Sequence, residues 1–152
     1  MALHFAAYSA IFPLIIEGRG RKRRILLHKR KNTGYQDGMW DIAASGHVDE
    51  DETAQMALIR ECREELGIEV KLEHIKFAHL SHRLSADRTY YDIYFTVARY
   101  SGTPIIMEQE KCEDLQWFDL SNLPPDTIEC RRRAIENYLS KTSYSEIIEK
   151  EL

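Results

Sequence analysis

No stretch of this chain approaches the roughly 18 consecutive apolar residues that a membrane-spanning helix needs, so the sequence predicts no membrane span. The opening residues MALHFAAYSAIF lack the basic start and small-residue cleavage pattern of a secretory leader, and they read as mature protein. Cysteine is scarce: Cys62, Cys112 and Cys130 are odd in number and far apart, which excludes a disulfide framework and a paired-cysteine metal site. The simplest setting for three unpaired thiols is the reducing cytoplasm. An excess of positive charge is also missing. At a formal net charge of −4 the chain has no general footprint for duplex nucleic acid. Basic residues gather only locally, at Arg19–Arg24, Lys29–Lys31 and Arg131–Arg133, where an edge could meet a phosphorylated small molecule. There is no internal repeat and no low-complexity segment.

What remains is ordinary globular material. The chain has 152 residues, 43% hydrophobic and 30% charged. That is enough for one core and too little for two, so residues 1–152 read as a single domain. Leu3–Ile16 is apolar and irregular, a strand kinked near Pro13, and Arg24–Arg30 is a second strand completing a hairpin. Lys31–Gly38 is rich in turn formers, and Trp40–Ala44 is a short strand. A helix runs from about Thr53 to Leu66, its first turn crowded with acids, and Gly67 stops it. Val70–His82 gives one long or two short strands, Tyr90–Tyr100 a further one and Leu115–Phe118 a last short one. A second helix covers about 127–139, and a polar tail, frayed or briefly helical, runs to residue 152. Strands on both sides of a central helix, with a closing helix, make an α/β domain: a mixed sheet with helices on both faces.

The chemistry concentrates in residues 46–68, GHVDEDETAQMALIRECREELGI. At roughly 100° per residue, Glu61, Glu64 and Glu65 share an arc of about 100° on the helix surface, opposite Ile59, Cys62 and Leu66. Like charges so close repel, a penalty that a divalent cation would reverse, whereas a solvated acidic face is the commoner reading of such a helix surface. Ala54 and Ala57 lie beside these acids, and their small size leaves room for ions and phosphate.

Gly46, Glu52, Arg60-Glu61, Glu64-Glu65 and Gly67, seven fixed positions over 23 residues, resemble the Nudix box. Ile68 meets one aliphatic position of that pattern, and Cys62 departs mildly at the other. The flanks Asn32–Tyr35, Asp37–Trp40 and Leu115–Phe118 before Leu123-Pro124 are similar to MutT-like members, so the likeness runs from about Ala7 to Leu139. Many relatives carry Pro-Gly-Gly where this chain has Ala44-Ser45-Gly46. The resemblance implies the Nudix fold, a mixed β-sheet between helices. It also implies a hydrolase that cleaves a diphosphate joining a nucleoside to another group, with Mg²⁺ or, in its place, Mn²⁺.

Carried over residue by residue, the resemblance makes Glu61, Glu64 and Glu65 metal-binding acids and the Ser45 carbonyl a backbone ligand. It makes Glu52 and Arg60 an ion pair steadying the loop. The family often adds an acid ahead of the final strand. Glu113 is the first choice here, then Glu110 and Glu108, and the general base stays open between Glu64 and Glu113. Lys29, Arg30, His47 and Arg83 are candidate phosphate contacts, and Tyr35 a candidate base-stacking ring, with Trp40 and Phe118 better suited to the core. The expected partner is a small nucleotide, and a homodimer is an expectation of the family. A Nudix-fold nucleotide-binding or sensor module is the alternative, which the intact acid set disfavours. An isopentenyl diphosphate isomerase needs a reactive cysteine in its own motif, and none of the three here has that context.

Overall fold

The computed structural model describes residues 3–152. Its centre is β1 (Tyr8–Glu17), a strand buried on both faces. Ile11 and Ile15 point into the core beneath the first helix, whereas Ala10, Phe12 and Leu14 point into the core beneath the second. A strand covered on both sides has no polar face, which is why its sequence shows no alternation.

The sheet order is β3-β2-β1-β6-β5-β8, with β2 at Arg24–Arg30, β3 at Trp40–Ile42, β5 at Ile75–Leu84, β6 at Thr89–Val97 and β8 at Tyr144–Ile148. β4 (Gly46–His47) pairs with β1, and β7 (Cys112–Asp119) pairs with β2. The expected hairpin exists only at its base, where Ile16 and Glu17 pair with Ile25 and Arg24. β2 then leaves β1 and lies between β3 and β7. On this edge of β1, β4 reaches Ala10 and Ile11, and β2 begins at Ile16. Pro13 falls in the gap between them, where the ladder is already open. β6 pairs with β1 in parallel and β5 pairs with β6 antiparallel, so the sheet is mixed.

Helix α1 (Ala54–Leu66) begins where Thr53 accepts a hydrogen bond from the Met56 amide, a normal N-cap. The acids Glu50, Asp51 and Glu52 stand before that cap, and none lies in the first turn. The expectation of acids stabilising the first turn is thereby corrected. Gly67, at φ 68°, closes the helix in the left-handed conformation that glycine adopts most cheaply. Ala57 is fully buried in the core with Leu58, Cys62 and Leu66, so it packs rather than leaving space for ions. Helix α2 (Glu129–Leu139) covers the opposite face with Ala134 and Ile135.

Two further expectations are revised. β7 starts three residues earlier than the apolar pattern Leu115–Phe118 suggests, because Cys112–Asp114 continue the ladder along β2. The tail beyond Lys141 is neither frayed nor helical: β8 joins the sheet edge in parallel with β5. Its polar residues are used, since His79 and Ser81 of β5 both reach Ser145. The three cysteines are unpaired. Among the described residues no helix is long and apolar enough to cross a membrane.

Candidate active site

The site forms where the turn Ala43–Gly46 meets the exposed edge of α1. β4 hydrogen-bonds to β1, Gly46 opposite Ile11 and His47 opposite Ala10, which fixes the turn against the sheet. Glu61 lies directly against Gly46. A Cβ added there would overlap the Glu61 carboxylate and sit 2.7 Å from its Cγ. Only glycine permits this approach of turn and helix.

Glu61 and Glu65, one helical turn apart, bring their carboxyl groups within hydrogen-bonding reach of each other. The Ser45 amide donates to Glu65 Oε2 at 3.0 Å. Burial, reinforced by the nearby Glu61 and Glu108 charges, pushes the Glu65 carboxyl up to about 9. Burial also raises Glu61, against the pull of Arg60. Both carboxyls are thus raised above their ordinary value, which favours a proton held between the pair. Glu64 is turned elsewhere: its side chain is 55% exposed and meets Arg60 at 3.3 Å.

Arg60 organises the loop before the helix. Its Nε and Nη2 donate to both oxygens of Glu52 at 2.8 and 3.0 Å, and Nη2 also reaches the His47 carbonyl at 3.2 Å. Nη1 donates to Glu61 at 2.6 Å. Glu52 in turn accepts from the Asp49 amide at 3.1 Å. The Arg60 hydrogen bonds hold the Glu52 carboxyl down at about 2, so the pair stays charged well into acid.

Two cavities open beside the turn and meet at Arg30, Thr33 and Ser45. One, about 340 Å³, runs between α1 and β2–β7, lined by His28, Glu65, Glu108, Lys111 and Cys112 among others. The other, about 560 Å³, lies toward β5–β6 and is walled by Arg30, Tyr35, His47, Arg83, Arg88 and Tyr90. Of the residues expected to contact substrate, Arg30 lines both, Tyr35 and His47 line the larger, and Lys29 lines neither. Arg30 is fixed by an ion pair to Asp41 at 3.0 Å and stacks 5.3 Å from the Tyr35 ring. Trp40 is buried and packs edge-on against Phe118, as core residues do.

The acid outside the box is placed differently from the sequence expectation. Glu113 sits exposed on β7 and lines neither cavity, and Glu110 is exposed beyond it. Glu108 is the half-buried one that faces Glu65. The reason is the backbone: the amides of Ile105 and Met107 donate to the Leu66 and Glu65 carbonyls, docking this loop on the C-terminal end of α1. Counting residues back from Trp117 could not show that.

Sequence reasoning also missed the floor of the larger cavity. Arg131 of α2 is 4% exposed and holds Asp41 at 3.2 Å, Asp92 at 3.3 Å and the Tyr94 hydroxyl at 2.8 Å. Arg83 extends the chain, bonding Asp92 at 2.7 Å and Glu149 at 3.2 Å. The basic run Arg131–Arg133 is thus not a single surface edge; its first member is buried and neutralised. The missed signal was Asp41 and Asp92, acids in otherwise apolar strands.

The donor set fits a divalent cation in part. Two touching carboxylates sharing one proton repel when both are charged, and a hard cation in the proton's place would satisfy both. Among the described residues, however, no three carboxylate, imidazole or thiolate groups converge into a complete cage. Water and substrate oxygens would have to complete the shell.

A mixed sheet between two helices, with a glycine turn pressed onto a helix edge of paired carboxylates, defines an α/β domain with an acidic cleft. The NUDIX domain profile matches residues 8–138, and the chain belongs to that family. It is 31% identical over 157 aligned positions to an NAD-capped RNA hydrolase, NudC, of Vibrio atlanticus, covering 95% of this chain and 52% of the relative. A CTP pyrophosphohydrolase of Escherichia coli is 42% identical over 59 residues, 39% of this chain and 43% of that protein. The chain thus spans about half the length of the NudC relative. Among solved structures, a MutT NUDIX hydrolase from Burkholderia pseudomallei superposes with a TM-score of 0.75 at 28% identity, covering 87% of this chain and 98% of that one.

Proposed function

We propose that this chain hydrolyses a diphosphate bond in a nucleoside diphosphate linked to a second group, with Mg²⁺ or Mn²⁺ as cofactor. The observation that carries this reading is the Glu61–Glu65 carboxyl pair against Gly46, at the junction of two cavities of ligand size. The similarity to NAD-capped RNA and CTP hydrolases supports the same bond type.

In this proposal Glu61 and Glu65 hold the metal with the Ser45 carbonyl, and Glu64 joins them by leaving Arg60. The bound cation would neutralise the diphosphate oxygens and lower the pKa of a coordinated water. The protein does the rest. Arg60 and Glu52 keep the loop from moving, so the carboxylates stay aimed at the bond. Arg30, at the junction of the cavities, binds phosphate oxygen. Glu108, close to Glu65 and half-buried, accepts the proton of the attacking water, a role for which it is better placed than Glu113. His47 and Tyr35 line the cavity that receives the remainder of the substrate.

The test is a panel with Mg²⁺ containing nucleoside triphosphates, ADP-ribose, NADH, NADPH and NAD-capped RNA. Release of a mononucleotide, phosphate or pyrophosphate from at least one is expected. Tight nucleotide binding with no product from any substrate would support the sensor reading instead.

A further inference from the structure

We propose that the larger cavity selects substrates carrying an additional phosphate on a sugar, one pentose away from the diphosphate that is cleaved. This rests on the preceding reading of where the diphosphate lies. The walls of the cavity include four guanidinium groups, Arg30, Arg83, Arg88 and Arg131, against two carboxylates, Asp41 and Asp87. Three of these arginines are committed to buried or half-buried acids: Arg30 to Asp41, Arg131 to Asp41 and Asp92, and Arg83 to Asp92 and Glu149. Arg88 is different. It is exposed, and its one carboxylate neighbour among the described residues is Asp87, at 3.7 Å, with the Arg88 side chain 46% and the Asp87 side chain 79% exposed. A contact of that kind is weak and easily exchanged for a ligand.

Arg88 is nonetheless held in place. Its guanidinium lies 5.1 Å from the Tyr8 ring, and its Nη1 donates to the Tyr90 hydroxyl at 3.3 Å. Tyr8, His47 and Tyr90 form a triangle of rings with centroids 5.1 to 5.8 Å apart. Arg83 lies 4.5 Å from the Tyr90 ring. Aromatic faces thus present two guanidiniums toward one cavity, one neutralised at the floor and one available at the rim. A phosphate monoester, with its dianion and three oxygens, matches a guanidinium fork better than a neutral base or hydroxyl does.

The sheet register gives the reach. Gly46 pairs with Ile11, and Tyr8 pairs with Tyr90 on the other edge of β1. Three residues of strand, at about 3.3 Å each, put the Tyr8 ring that carries Arg88 roughly 10 Å along β1 from the Gly46 position. That is the distance a pentose and its phosphate bridge.

The discriminating pair is NADH and NADPH, which differ by one phosphate on a ribose. With Mg²⁺, kcat/KM for NADPH should exceed that for NADH by at least about tenfold, the scale of one charge-assisted contact. In Arg88→Ala the ratio should fall to about 1, and Arg88→Lys should keep part of it. Calorimetry without metal supplies a second readout, comparing adenosine 2′,5′-bisphosphate with adenosine 5′-monophosphate. Wild type should bind the bisphosphate about tenfold more tightly, and Arg88→Ala should erase the difference. A preference retained in Arg88→Ala, or equal binding of the two probes by wild type, overturns the proposal. If neither dinucleotide is cleaved while the calorimetric preference and its loss both hold, the phosphate site stands, and the diphosphatase reading falls only if every other substrate of the panel is also left intact.

Discussion

Glu61 occupies the space that a side chain at Gly46 would need: a Cβ on that glycine would lie 2.7 Å from the glutamate's Cγ and overlap its carboxylate. Gly46→Ala must therefore push Glu61 outward or lift the turn from the helix. The expected result is a folded protein whose turnover is lower by about 100-fold, the scale on which a small misplacement of catalytic groups acts. Steady-state kinetics beside a far-UV circular dichroism spectrum checks this. Turnover near wild type would show that the contact has no bearing on the site.

Glu65 supplies a pH signature. Its folded pKa, near 9, lies above its ordinary 4.5, so the native metal-free protein binds a proton that the unfolded chain has already released between those values. Stability should then fall as pH rises through that window, because the unfolded state binds fewer protons. Wild-type Tm should drop more between pH 6 and pH 8.5 than that of Glu65→Gln, and saturating Mg²⁺ should recover the loss in wild type alone. The same substitution should lower turnover by at least about 100-fold. Parallel pH profiles for the two proteins would contradict the assignment.

Glu108 and Glu113 separate by placement. Glu108 is half-buried and faces Glu65, whereas Glu113 is exposed outside both cavities. Glu108→Gln should reduce kcat by about 100-fold, the contribution of a positioned general base. Glu113→Gln should stay within about twofold of wild type. The reverse ranking would return the base to the β7 edge.

Arg131 is the keystone of the buried ion chain. Replacing it by methionine keeps the volume but leaves Asp41 and Asp92, exposed by 1% and 0%, without their shared cation. Removing one partner of a buried ion pair costs about 3–5 kcal/mol. Urea unfolding of Arg131→Met should show a loss of that size. A change under about 1 kcal/mol would mean that Arg30 and Arg83 suffice.

The sequence carried the architecture because its strands and helices are local patterns: apolar runs between turn formers, Thr53 before α1 and Gly67 after it. It carried the carboxylate edge of α1 for the same reason, since helical spacing alone puts Glu61 and Glu65 side by side. What it could not carry depends on contacts between distant segments. Arg131 reads as a surface cation until α2 is laid over Asp41 and Asp92. Glu108 reads as a loop residue until its neighbours Ile105 and Met107 bond to the end of α1. β8 has too few apolar residues to announce itself, and it exists because β5 offers an open edge and His79 and Ser81 offer polar partners.

That last strand has a consequence for biosynthesis. β8 closes the edge beside β5, and the residue after it, Glu149, completes the charge balance of Arg83 at the floor of the larger cavity. A nascent chain that has exposed only its first 140 residues already has both helices, yet β5 still has a bare edge and Arg83 lacks one of its two acids. The Arg83 ion pairs are therefore complete only after residue 149 has left the ribosome, and until then the uncovered β5 edge is where a partly made chain would pair with another.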